Sequence, residues 1–289
     1  MSANFLAVCA SHSPLLENVD AGDAGATFFR AIDEAKATID AFDPEVVVFF
    51  GPDHFRALQG IVPPVTIATS AIGFGDWGTP EDPYVVPSEL ADQLAAHLLN
   101  AQFDVAVGSD VRIDHGFGQT FVQLFGGLGA IPVIPIVLNC ASMPRTSVSR
   151  AIDLAQAVGA FMATTNKRVL FLGSGGLSHQ PPSMSAEVRA LPSEEREAIA
   201  RKSVLDAAKY VNAAWDETFL QALTTSHWSK LREYQDPELT EVGSGTHEIR
   251  TWVAAWAAAG AAAGRSTYVP IPEWITGMGV AVSEVGDSK

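Results

Sequence analysis

The chain has 289 residues, of which 47% are hydrophobic, and carries 18 Lys and Arg against 33 Asp and Glu, a formal net charge of −15. That balance excludes a nucleic-acid surface, which needs a basic footprint for phosphate, and no apolar run reaches the roughly 18 to 20 residues needed to cross a bilayer. The start, Met1-Ser2-Ala3-Asn4, lacks the basic segment of a secretory leader, and Cys9 and Cys140 cannot make a disulfide framework, so a cytoplasmic protein with reduced thiols is expected.

The first half alternates strand and helix. Phe5 to Ala10 reads as a strand, and Phe28, Ile32, Ala35, Ile39 and Phe42 keep helical spacing. Asp43-Pro44 ends that helix, because the residue before proline avoids the α region. Glu45 to Phe50 is a continuous apolar strand, the pattern of a sheet covered on both faces. Val65 to Ala71 is a further strand, and Pro87-Ser88 caps a helix running to about Asn100 through the serine hydroxyl. Val105 to Val107 and Val133 to Leu138 extend the sheet, with Pro135 pointing to an edge or irregular strand. A helix over Ser147 to Thr165 and a strand over Arg168 to Leu172 follow.

Gly173 to Ser185 is too rich in Gly and Pro for a regular element and reads as an ordered active-site loop. Ser193-Glu194-Glu195 opens a long helical region, its acids complementing the N-terminal dipole. A last helix begins at Thr246 as N-cap, with a packing stripe of Ile249, Trp252, Val253, Trp256 and Gly260. No repeat or linker divides the chain. The expectation is a single α/β domain over 1–289, with a central, mostly parallel sheet flanked by helices.

Five of the seven histidines sit where strands or loops should end: His12, His54, His115, His179 and His247. The carboxyl ends of strands are where open α/β sheets place their sites, and imidazole is both the common transition-metal ligand and the acid–base group near neutrality. Taken singly, His12 and His54 would suit loop hydrogen bonding, and Glu248 a carboxylate at a helix start. Together they make a two-histidine, one-carboxylate set, which leaves coordination positions open on a non-haem ferrous ion.

Asp114 precedes His115 and could orient its ring. His179 ends the glycine-rich loop, which lacks both the P-loop lysine and the dinucleotide spacing. Both histidines suit acid–base roles. His247 is ambiguous beside Glu248, while His97 and His227 read as structural. Ser174 and Ser178 beside His179 allow a serine-hydrolase reading, weakened by the missing Gly-x-Ser-x-Gly elbow.

At these residues the chain resembles the class III extradiol ring-cleaving dioxygenases, the protocatechuate 4,5-dioxygenase β-subunit-like superfamily. Within it, the resemblance is to the branch that cleaves 2,3-dihydroxyphenylpropionate and 2,3-dihydroxycinnamate. It covers nearly the whole chain and rests on Val169 to Pro182, Thr246 to Ala255 and Pro270 to Ile275, with Ser11 to Pro14, Pro52 to His54 and Asp114 to Phe117. The segment from about 183 to 242 carries little of it. The resemblance implies Fe(2+) held by His12, His54 and Glu248, an acid–base pair of His115 and His179, a catechol and O₂ as substrates, and a homo-oligomer.

A propionate or acrylate tail is anionic, so a chain of −15 needs a local cation for it. Arg112 and Arg250 are the candidates by nearness to site residues, with Asp114 and His247 as further substrate contacts. The competing readings are a 2-aminophenol substrate, a zinc hydrolase with the same ligands, which would consume no O₂, and a non-enzymatic relative, which would lack the acid–base histidines.

Overall fold

The computed structural model describes residues 4–181, 188, 190–202 and 204–285. Its centre is four parallel strands: β1 (Phe5–Ala10), β2 (Val46–Pro52), β7 (Val133–Leu138) and β8 (Val169–Ser174), every residue of them buried. Alternate side chains feed two apolar layers. Val46, Val48, Phe50, Ala7 and Cys9 face one, and Val47, Phe49, Leu6 and Val8 face the other. The continuous apolar runs are therefore the signature of a sheet buried on both faces.

Helices α2 (Ser88–Asn100), α4 (Val148–Ala163) and α10 (Ile249–Ala259) cover the first layer, and α1 (Gly22–Phe42) and α3 (His115–Phe125) the second. α1 ends as expected, with Asp43 in the left-handed region and its N–H on Ile39 O. α10 is buried on every side. Its backbone comes so close to α4 that a Cβ on Gly159 would lie 2.1 Å from the Ala258 carbonyl.

The full order is β5-β3-β7-β2-β8-β1-β10-β9, eight strands in all. β3 (Val65–Ala68) runs antiparallel to β7 and parallel to β5 (Ala106–Gly108). At the other edge β9 (Gly264–Ile271) and β10 (Thr276–Ser283) form an antiparallel pair whose inner member lies against β1. This C-terminal pair was not anticipated. β9 is half exposed, and β10 is dominated by glycine and small residues, so neither shows a clear period of two. A separate two-stranded sheet joins β4 (Ala71–Gly73) to β6 (Val111–Ile113).

Five details differ from the expectation. Pro135 lies in β7, an interior strand; the β3 ladder stops at Ile67 opposite Ile136, one position before the residue that has no N–H to give. Val65 to Ala71 is broken, so that Ala71 belongs to the second sheet. Pro87, not Ser88, occupies the cap of α2, with no side-chain cap bond. Thr246 lies inside a 3₁₀ turn, Ser244–Glu248, so α10 starts at Ile249, and Gly260 is its left-handed cap. The long helical region after Ser193 is a series of short helices: α5 (Ser193–Lys202), α6 (Val204–Ala208), α7 (Ala213–Thr224), α8 (Trp228–Glu233) and α9 (Asp236–Val242). Of the loop expected over Gly173 to Ser185, residues 182–185 lie outside those described.

Candidate active site

The three central parallel strands end at one place. His12 follows β1 by two residues, and His54 follows β2 by two. β8 runs between these strands, so their histidines start two strand spacings apart, about 10 Å. β8 ends in Gly173-Ser174-Gly175-Gly176, which lets both side chains lean across it. The rings of His12 and His54 meet at 5.2 Å, nearly perpendicular at 84°. Glu248 arrives from above on the 3₁₀ turn, and a Cβ on Gly175 would lie 2.8 Å from the Glu248 Cβ. His115 opens α3, and its ring stacks on His54 at 4.5 Å and 18°.

Four imidazoles share one pattern, with Nδ1 tied to the protein. His54 Nδ1 lies 3.3 Å from both Asp114 oxygens, and Asp114 Oδ2 also accepts the His54 backbone N–H at 2.6 Å. His115 Nδ1 is 2.9 Å from Asp76 Oδ2, and its backbone N–H donates to Asp76 Oδ1. His179 Nδ1 donates to Leu177 O at 3.0 Å, and His12 Nδ1 pairs with Ser174 Oγ at 3.0 Å. For His54, His115 and His179 the partner only accepts, so the proton sits on Nδ1 and Nε2 carries a bare lone pair in the neutral ring. Such anchoring is the usual support of a metal-binding imidazole.

The Nε2 atoms gather around Glu248: His54 at 3.1 Å from Oε1, His12 at 3.8 Å from Oε2, and His179 at 3.8 Å from Oε1. Glu248 Oε2 also accepts the Gly176 N–H at 2.8 Å. Burial opposes its charge, but the His54 hydrogen bond and the three neighbouring rings outweigh it and hold the carboxyl at about 2. Burial pushes His12 down to about 3 and keeps it neutral. His54 is also desolvated, yet Asp114 and Glu248 on either side raise it well above the ordinary imidazole value. A cation that displaces the proton shared by His54 Nε2 and Glu248 would find ionised carboxylates and imidazole nitrogens shut away from water, a donor set of the kind metals take. Ring nitrogens of His12, His54 and His115 also lie within 4.8 Å of one another.

The remaining candidates support the cluster or stand outside it. Asp114 is 1% exposed and caps α3 by accepting the Gly116 N–H. His247 is buried with its back to Glu248; Nδ1 accepts from Arg250, and Nε2 meets the Thr240 hydroxyl at 2.9 Å. Arg250, also buried, donates to Thr146 O, His247 O and Asp236. Arg112 pairs with Glu81 at 3.2 Å, half exposed, and lies over Phe74. Sequence reasoning passed over Asp76, an acid in Gly75-Asp76-Trp77-Gly78 with no pattern to mark it. Ser174, read there as a hydrolase candidate, bonds His12 and Thr120 instead.

Fold and cluster together define a metal-dependent α/β enzyme of the aromatic ring-opening kind. The chain matches the family model for the catalytic LigB subunit of aromatic ring-opening dioxygenase over residues 6–279 and belongs to that family. It is 38% identical to the 2,3-dihydroxyphenylpropionate/2,3-dihydroxicinnamic acid 1,2-dioxygenase of Klebsiella pneumoniae subsp. pneumoniae, over 94% of this chain and 96% of that protein. Proteins of the same name from Azotobacter vinelandii (38%, covering 96% and 97%) and Escherichia coli K12 (38%, covering 94% and 96%) are equally similar.

An uncharacterized protein of Escherichia coli K12, known by its crystal structure, shares the fold at a TM-score of 0.50 and 12% identity, over 96% of this chain and 99% of that one. The chain is therefore an extradiol catechol dioxygenase. Among the described residues no helix is long and apolar enough to cross a membrane.

Proposed function

We propose that the chain opens a 2,3-dihydroxyphenyl ring bearing a propionate or acrylate tail, beside the tail-bearing carbon, to give a 2-hydroxy-6-oxo-dienedioate. In this reading the metal is Fe(II), His12, His54 and Glu248 hold it, and His115 and His179 move protons. The observation that carries it is the approach of the His12 and His54 Nε2 atoms to the two oxygens of one buried, ionised carboxylate.

The alternative third ligand is His115. A lone pair lies in its ring plane, and the His54 and His115 planes are nearly parallel, a stacking that favours Glu248 over His115 as the third ligand. His12 and His54, at 84°, can aim at one ion. Bound there, Fe(II) would acidify the catechol and couple it to O₂.

The other residues act on the substrate. His179, with Nδ1–H committed to Leu177 O, offers Nε2 as the base for a phenolic proton. His115 is backed by Asp76, which burial would neutralise but which His115 and Arg56 keep below the usual carboxylate range. Asp76 thus fixes the His115 ring through Nδ1, and in this reading the ring serves as the acid. Arg56, its side chain 7% exposed, pairs with Asp76 at 3.3 Å and helps keep that carboxylate ionised behind His115. The substrate class follows the names of the relatives, and a cytoplasmic homo-oligomer belongs to the same proposal.

The test is an oxygen-electrode assay of Fe(II)-loaded protein over a panel of catechols. Carboxylated substrates should be cleaved with the highest kcat/KM and one O₂ consumed per ring. Equal efficiency with 3-methylcatechol would overturn the tail, and full activity of iron-free, zinc-loaded protein would overturn the metal.

A further inference from the structure

A second set of buried polar groups lies behind the Gly175–His179 loop, outside the roles just assigned. Asp216, in the first turn of α7, is 0% exposed. Its Oδ1 accepts the Ser178 N–H at 2.8 Å, and its Oδ2 accepts the Ser178 hydroxyl at 2.6 Å and the Tyr268 phenol at 2.7 Å. Ser178 Oγ in turn accepts the backbone N–H of Asn212, the residue that caps α7, at 2.7 Å. Three hydrogens converge on one carboxylate, and only its ionised form accepts all three.

The loop is clamped from the other side by β10. Leu177 N–H donates to Gly277 O, and Gly277 N–H to Ser178 O. A Cβ on Gly277 would lie 2.0 Å from Asp216 Oδ2, so the carboxylate rests against the strand backbone itself.

A buried charge is a poor way merely to brace a loop, since well-packed apolar groups commonly do as well or better. What a carboxylate adds is direction. The residue it grips, Ser178, precedes His179, whose ring is boxed in tightly: a Cβ on Gly245 would lie 2.1 Å from Nε2, and one on Gly176 2.5 Å from Cε1. A ring so confined cannot compensate for a shift of its own backbone. The loop's placement therefore sets where Nε2 stands, at present 3.8 Å from Glu248 Oε1.

We infer that Asp216, acting through Ser178 and seconded by Tyr268, is a positioning residue for His179 that fixes its Nε2 against the reacting centre. The inference rests on the acid–base reading of His179 given above.

The test is a double-mutant comparison on iron-loaded protein, using Asp216→Asn, Tyr268→Phe and His179→Ala. Asn keeps an acceptor for the Ser178 N–H but presents a donor to two hydroxyls, one of which already receives the Asn212 N–H. Displacing a catalytic group by a fraction of an ångström to an ångström lowers rate by up to about a hundredfold. Asp216→Asn should therefore lower kcat by about tenfold to a hundredfold, with KM within about threefold of wild type and bound iron unchanged. Tyr268→Phe should show the same pattern, at about threefold to tenfold.

His179→Ala should retain a residual rate about 10² to 10⁴ below wild type, read by product absorbance at high enzyme concentration. On that background neither substitution should lower kcat further. A further loss by the same factor, an unchanged kcat in the single variants, or iron content falling in step with rate would each overturn the inference. Where Asp216→Asn fails to fold, Tyr268→Phe carries the comparison alone. Wild-type activity in His179→Ala would refute instead the acid–base reading, and is separately visible.

Discussion

Replacing Asp114 by Asn separates two roles that the sequence leaves open, orienting a ligand and touching substrate. Asp114 is held below the usual carboxylate range, because His54 and His115 outweigh the burial that opposes its charge. Oδ1 takes the Gly116 N–H at 2.8 Å and Oδ2 the His54 N–H at 2.6 Å, with His54 Nδ1 at 3.3 Å from both. An amide has one acceptor, so one of the two backbone N–H groups must face an NH₂. That mismatch should lower unfolding stability by about 1 to 3 kcal/mol, readable by urea denaturation.

The His54 Nδ1–H also loses an anionic acceptor. Loss of such outer partners weakens metal binding about 10- to 100-fold, or about 1.4 to 2.7 kcal/mol. Anaerobic titration with ferrous ion should show that weakening, and excess iron should restore most activity with KM for the catechol little changed. A KM raised tenfold or more at unchanged iron affinity would refute the argument and place Asp114 against the substrate.

His115→Ala and His179→Ala should keep iron at the wild-type ratio, measured by metal analysis, and lose ring cleavage; a metal-free variant would show that its histidine is a ligand. Gly245→Ala should do likewise, because its Cβ would take the place of the His179 ring. Arg250→Ala should destabilise the protein by about 1 to 3 kcal/mol, since it leaves the Thr146 and His247 carbonyls without their donor while Asp236 keeps Arg145, and should leave the preference for carboxylated over uncharged catechols unchanged; a lost preference would make Arg250 the tail's partner. Burial pushes Asp216 up to about 6, against the pull of its Ser178 and Tyr268 donors. The folded chain thus holds this proton longer than the unfolded one, whose value is near 3.9. The contribution is fully present only below the unfolded value and is lost as pH rises through about 6, so stability relative to Asp216→Asn should fall by about 2 kcal/mol between pH 4 and 7. A flat difference in urea titrations would contradict it.

The parallel centre was legible because a strand buried on both faces leaves an unbroken apolar run, as in Glu45 to Phe50. The edges were not: β9 and β10 are held by pairing with β1 rather than by a pattern of their own. In the cluster, His12, His54, His115, His179 and Glu248 stood out as rare groups at strand or helix ends. Their supports did not, because Asp76 and Asp216 are ordinary acids whose partners lie 39 and 38 residues away in sequence. Arg112 and Arg250 were judged by sequence nearness. Neighbours in a strand or helix point in different directions, and both guanidiniums turned to other carboxylates.

The strand order has a consequence for how the enzyme is made. β1 is completed only by β8 and by β10, strands translated long after it, and Glu248 lies beyond β8 in the chain. A nascent chain that has just released His12, His54 and His115 from the ribosome has Asp76 and Asp114 to orient two of the rings but lacks Glu248, around which the Nε2 atoms gather. On the proposed ligand set, tight metal binding has to wait for synthesis of the C-terminal segment, and metal retention would then measure whether the whole polypeptide has folded.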